Sequence, residues 1–104
     1  MARKHDLFLV RIRLRDSFDY RPCIILHSSA QTSSVVLLSS ALGLRRDVSD
    51  FLISSDDPDF AKTGLKKSSY ALGDQIHEMN NGELKHKLGS LEGELAERFD
   101  KWLD

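Results

Sequence analysis

Residues Asp6 to Arg15 alternate along the chain: Phe8, Val10, Ile12 and Leu14 fall on one side, Arg11, Arg13 and Arg15 on the other. Successive side chains of a strand point to opposite faces, so a period of two predicts a half-buried strand with an apolar face that a sheet must cover. A chain that opens this way is committed to pairing further strands, and the apolar segments that follow are short enough to supply them. Asp16-Ser17-Phe18-Asp19 reads as a polar turn. Arg21-Pro22 then opens a second apolar run, Cys23-Ile24-Ile25-Leu26, with proline at the first position because it has no N–H to give to a ladder. Ser28 to Ser34 is a Ser/Thr/Gln-rich loop. Val35-Val36-Leu37-Leu38 is a third strand, expected to be buried on both faces.

The middle of the chain is less regular. Ser40 to Arg46 reads as strand end or loop, and Phe51-Leu52-Ile53 as a short strand. Asp47, Asp50, Asp56, Asp57 and Asp59 around Pro58 read as a solvated acidic loop. Gly64 marks a turn. Ser69 to Gly73 and Gln75 to Met79 form two short strands or one strand bent at Gly73. Asn80-Asn81-Gly82 is a turn. At the C-terminal end the period changes. Leu91, Leu95, Phe99 and Trp102 with Leu103 recur at helical spacing, Ser90 is placed to cap, and Glu92 and Glu94 fall in the first turn, where the helix dipole favours anions. Glu94–Arg98 and Glu97–Lys101 are spaced for i,i+4 pairing on the outer face. The predicted fold is mainly β (α+β): one domain over residues 1–104, with five or more short strands in a small, partly closed barrel and a C-terminal α-helix.

Composition narrows the function. Of the 104 residues, 15 are Lys or Arg and 16 are Asp or Glu, for a net charge of −1. Coating nucleic acid by bulk charge is excluded, and a local basic patch is not. Cys23 is the lone cysteine, so an intrachain disulfide and a multi-cysteine metal site are excluded. No signal peptide is recognisable, and no run approaches the roughly 20 apolar residues of a membrane span, so a cytoplasmic location and no membrane partner are expected.

The familiar catalytic motifs are missing: no Gly-rich phosphate loop, no G-x-S-x-G elbow and no metal-spaced pair among His5, His27, His77 and His86. Neither a metal nor a cofactor is expected. Cys23, inside an apolar run, reads as a buried small residue. Arg21 is either a surface residue capping a strand edge or a phosphate ligand: its planar fork suits phosphate, its charge is permanent, and Pro22 stiffens the backbone beside it. The Arg11/Arg13/Arg15 stripe is either a phosphate track or a solvated strand face.

The order of these features carries a resemblance. Strand, short loop, Arg21-Pro22, apolar strand, and a strand ending in hydroxyl residues resemble the MazF/PemK family of toxin–antitoxin endoribonucleases. Gly64-Leu65-Lys66-Lys67-Ser68-Ser69-Tyr70-Ala71-Leu72-Gly73-Asp74-Gln75-Ile76 is similar to the family's G-(hydrophobic)-x-x-x-S-x-(apolar)-x-x-(Asp/Glu)-Gln-(hydrophobic) stretch. Leu84 to Leu91 is similar to its approach to the last helix. The resemblance implies an SH3-like barrel of the MazF/PemK/CcdB type, a homodimer, and metal-independent cleavage of single-stranded RNA by the ribose 2′-OH. It implies Arg21 and Ser39 as catalytic residues, with serine in place of the family's threonine. Lys66, Asp74, Gln75 and His77 are implied as substrate-binding, and His77 reads equally as an exposed strand residue. The implied protein partner is a cognate antitoxin with an acidic, flexible tail. Three positions depart from the pattern: His5 stands for a glycine, the Asp16–Tyr20 loop is short, and Leu72 stands where some members carry arginine. Two alternatives remain: a non-catalytic CcdB-like gyrase poison acting through Trp102, and a degenerate member that only binds its antitoxin.

Overall fold

The computed structural model describes residues 2–13, 15–40 and 50–104. Among these residues, six antiparallel strands form one curled sheet, with a helix at the C-terminal end. The strands are β1 (Asp6–Arg13), β2 (Phe18–Ser28), β3 (Thr32–Ser39), β4 (Phe51–Ile53), β5 (Ser69–Asn80) and β6 (Leu84–Ser90); α1 spans Gly93–Leu103. Their order across the sheet is β4-β5-β3-β2-β1-β6, so β4 and β6 are its two edges. The described residues make a mainly β fold with one α-helix. Among the described residues no helix is long and apolar enough to cross a membrane.

Alternation builds the core. In the β1–β2 ladder Leu7 lies opposite Ile24 and Phe8 opposite Cys23, and the register holds to Arg13 opposite Phe18. One face therefore collects Leu7, Ile24, Val36, Leu38, Ile53 and Ala71, and Leu91, Leu95 and Phe99 from the helical end close over it. The other face collects Val10, Cys23, Ile25, Val35 and Leu37, with Phe8, Ile12, Met79 and Leu84 packed around them. Val35 to Leu38 is buried on both faces, as its unbroken apolar run predicts. The same division corrects the reading of β1. Its arginine-bearing face begins with Leu7, which is fully buried, so both faces of this strand meet a core.

Several boundaries move. The expected polar turn at Asp16–Asp19 is half strand, because β2 starts at Phe18 and Pro22 sits inside it. The expected loop at Ser28–Ser34 contracts to three residues, 29–31, between β2 and β3. The reading of Ser40–Arg46 lies outside the described residues from position 41 onward. The segment 69–79 is one strand, but its pairing to β3 jumps from Ala71↔Leu38 to Ile76↔Val36. Four residues, 72–75, thus bulge opposite Leu37, and the Gly73 N–H in that bulge donates to Asp50 Oδ1 at 3.0 Å.

The helix keeps its expected spacing but not its expected cap. Glu92 occupies the N-cap position, the Ser90 hydroxyl donates to the Glu92 carboxylate at 2.8 Å, and no side-chain oxygen accepts a helix N–H at the cap. Arg98 is engaged by Asp57 of the acidic loop, so it does not serve only the expected partner Glu94, and Asp57 is not a solvated loop charge. Two positions fasten the ends. His5 has φ +78°, in the left-handed region that favours glycine. It is held there because its N–H donates to Ile25 O, its carbonyl accepts from Leu91 N–H, and its ring Nε2 lies 2.7 Å from Asp100 Oδ1. Gly64, at φ +76°, ends the 3-10 turn Phe60–Thr63 so close to β6 that a Cβ would clash with the Leu88 carbonyl.

Candidate functional site

The site follows from where two neighbouring strands stop pairing. The β2–β3 ladder ends at Cys23↔Leu37, yet β2 stays paired to β1 as far as Phe18 and β3 stays paired to β5 at Ser39↔Tyr70. Each strand is held by its outer neighbour while the inner seam opens into a fork. Continuing the lost register by two residues would set Pro22 opposite Leu38 and Arg21 opposite Ser39. All four line a cavity of about 280 Å³ in that fork. Asp19, Tyr20, Ser40 and Ser69 complete its described lining.

Arg21 shares a face of β2 with Asp19, two residues earlier, and its Nε donates to Asp19 Oδ2 at 3.3 Å. The other carboxylate oxygen of Asp19 accepts the Tyr20 N–H at 2.9 Å, which pins the acid against the strand. A guanidinium has five N–H donors, so this contact leaves others for an anion. Both side chains are nearly half exposed, at 47% and 46%, so the pair is screened and weak. Three serines line the cavity with Arg21: Ser39 and Ser40 at the end of β3, and Ser69 at the start of β5, which is buried with its hydroxyl donating to Lys67 O at 3.1 Å. A guanidinium in a cavity with serine hydroxyls can take an oxyanion such as a phosphate.

The sequence-derived site residues separate into two groups. Arg21 and Ser39 come together in this cavity. Lys66 is exposed on the segment before β5 and is not among the described lining residues. Asp74 and Gln75 sit in the β5 bulge, and His77 lies beyond it opposite Val35, with its Nε2 3.1 Å from Gln75 Oε1. None of the three lines the cavity's described wall. Asp19, Tyr20 and Ser69 were missed. Asp19 was legible, since residues two apart on a strand share a face; Ser69 reaches the site only through the pairing of β5 with β3 and β4.

The other reactive groups have structural places. Burial pushes the Cys23 thiol up to about 12, which leaves it protonated and unreactive at neutral pH. Trp102 packs against Phe51 and Phe99, with ring centres 5.7 and 5.5 Å apart, as an anchor of the helix on the sheet. No cluster of three His, Cys, Asp or Glu side chains that could hold a metal ion occurs among the described residues. A scan against protein-family models gives no match for this chain, and a search of the curated proteins gives none.

Proposed function

We propose that this protein is a metal-independent endoribonuclease that cuts single-stranded RNA, the toxin of a type II toxin–antitoxin pair, as its resemblance to MazF/PemK proteins implies. The observation that carries the reading is the fork cavity in which Arg21 and Ser39, from different strands, share one wall. A scissile phosphate seated there meets a permanent positive charge and a hydroxyl donor. In the reaction the ribose 2′-oxygen bonds to phosphorus while the bond to the 5′-oxygen breaks. The 2′-OH gives its proton to solvent and the departing 5′-oxygen takes one back, leaving a 2′,3′-cyclic phosphate and a 5′-hydroxyl. Arg21 stabilises the charge that builds on the non-bridging oxygens, and Ser39 donates a hydrogen bond to one of them. The same cation is the natural target for an acidic antitoxin tail, which would occupy the cavity in place of RNA. A homodimer and an SH3-like closure of the sheet belong to the same reading.

The test is digestion of single-stranded RNA in EDTA with end-group analysis, wild type beside Arg21→Ala. The wild type is expected to leave cyclic phosphate and 5′-hydroxyl ends. Arg21→Ala is expected to cut nothing while melting at the wild-type temperature, because Arg21 is half exposed. Cutting that persists in Arg21→Ala, or a wild type that leaves intact RNA, refutes the assignment.

A further inference from the structure

Phe18 and Tyr20 are 53% and 55% exposed, an unusual place for two rings on one strand. They are two residues apart on β2 and so share a face, and the β1–β2 register sets Tyr20 opposite Arg11 and Phe18 opposite Arg13. The result is a block of two rings and two guanidiniums on the sheet surface. It is preorganised: the Arg11 guanidinium lies over the Phe18 ring, 4.6 Å from its centre, and is clamped by Glu83 through Nε at 2.9 Å and Nη2 at 3.1 Å. Two cavities bracket the rings. Tyr20 lines the fork cavity with Arg21, and Phe18 lines a second cavity of about 270 Å³ with Arg13 and Arg15. Each cavity also holds one carboxylate, Asp19 in the first and Asp16 in the second.

We infer that Tyr20 and Phe18 are a stacking platform for two successive bases of single-stranded RNA, with the backbone phosphate beside Phe18 held at Arg13/Arg15 and the strand passing through the fork cavity, which Tyr20 lines, to Arg21 on the other face of β2. The inference rests on the reading that Arg21 takes a phosphate. Every base has a π-face, so aromatic side chains bind unpaired bases with little regard to sequence, and arginines beside them track the backbone. A purely apolar partner would fit the rings but bring no anion to the two cavities, where three arginines meet two carboxylates; a single strand of nucleic acid supplies both. The short Asp16–Tyr20 segment thus becomes part of the substrate surface itself.

The test is equilibrium binding of a fluorescent 12-nucleotide RNA that is 2′-O-methylated throughout, so that no 2′-OH attack can consume it. A second probe is the same backbone without bases. Tyr20→Ala and Phe18→Ala are each expected to weaken the base-bearing probe roughly 5- to 150-fold, and Tyr20→Phe to bind as wild type. The abasic probe is expected to bind weakly and equally to wild type and both alanine variants. Arg13→Ala is expected to weaken the base-bearing probe and flatten its salt dependence by about one phosphate contact. Unchanged binding in both alanine variants, an abasic probe bound as tightly as the base-bearing one, or binding of an acidic peptide with none of RNA overturns the inference. If the binding pattern holds and unmodified RNA is not cut, the nuclease reading fails and the platform stands. If RNA is cut and Tyr20→Ala leaves KM unchanged, the platform fails and the nuclease stands.

Discussion

Asp19→Asn is the perturbation that most directly probes how Arg21 is set. In the free protein the Asp19 carboxylate occupies one donor of Arg21 at 3.3 Å. Exposed pairs of this kind are worth about 0.2–1 kcal/mol. A phosphate arriving at the remaining donors would sit some 5–6 Å from the carboxylate, where two like charges repel by about 0.7 kcal/mol in a water-like dielectric. The substitution removes both the competition and the repulsion while an asparagine oxygen still accepts the Tyr20 N–H. The sum, about 1–1.5 kcal/mol, corresponds to a KM for RNA lowered roughly five- to twelvefold, with kcat within about a factor of two. The assay is steady-state cleavage of a fluorogenic single-stranded RNA at low and at high salt, and the advantage of Asp19→Asn should shrink as salt rises. A kcat reduced more than 100-fold at unchanged KM would mean that the carboxylate moves the proton, and it would refute this account of Asp19 as a tuner of the cation.

Ser39→Ala is expected to lower kcat about 10- to 100-fold with KM little changed, the worth of one hydrogen bond to a charged group, while Ser39→Thr stays active; equal rates for Ser39→Ala and wild type would remove Ser39 from the site. Gly64→Ala, which puts a Cβ into the Leu88 carbonyl at positive φ, is expected to cost roughly 2–4 kcal/mol in denaturant unfolding, against none for Gly82→Ala, where nothing lies within contact. The hydrogen bond from His5, with Lys4 nearby, holds the Asp100 carboxyl below the usual carboxylate range. Its ionised form therefore stabilises the fold above the ordinary carboxylate pKa, and that contribution fades as pH falls through the lowered value. Asp100→Asn should melt a few degrees below wild type at pH 7, about 0.5–1 kcal/mol after screening, and the two should converge in strong acid; a gap that persists at pH 2 refutes the linkage.

Elements that carry their own periodicity were legible in the sequence. The alternation of β1, the doubly buried run Val35–Leu38, the Asn80–Gly82 turn and the Leu95/Phe99/Trp102 stripe needed only local pattern, because each side chain's environment repeats with the backbone. What escaped was set by distant neighbours. β6 reads Leu-Lys-His-Lys-Leu-Gly-Ser, with three consecutive exposed polar residues, because as an edge strand it meets the core mainly at its ends. The first turns of β2 looked like a loop because Phe18-Asp19-Tyr20 is held in strand form by Arg13, Ile12 and Arg11 across the ladder, not by burial. Arg98 had a local partner available in Glu94 and is nonetheless engaged by Asp57, from 41 residues away in sequence. Half of the candidate site shows the same limit. Arg21 and Ser39 were singled out along the chain, whereas Ser69 enters through a strand pairing that no local pattern announces.

The position of the cavity itself traces to Pro22. The carbonyl of Ile25 accepts the His5 N–H, so the backbone of Ile25 faces β1. Backbone direction alternates along a strand, which turns Cys23 toward β1 and both Ile24 and Pro22 toward β3. Ile24 pairs with Val36, but the next pair on that side, Pro22 with Leu38, has no N–H on β2, and there the ladder stops. Pro22→Ala supplies the missing donor. The two strands are then expected to zip on to Arg21↔Ser39, drawing the facing Cα atoms to roughly 5 Å and closing the fork that the phosphate needs. Cleavage should fall at least tenfold while stability is unchanged or gains about 1 kcal/mol, the net worth of one hydrogen bond. Hydrogen exchange reads the cause directly: the new amide at position 22 should be protected as strongly as its strand neighbours. An unprotected amide in a variant that cuts RNA at the wild-type rate would mean that the fork is held open by something other than the proline.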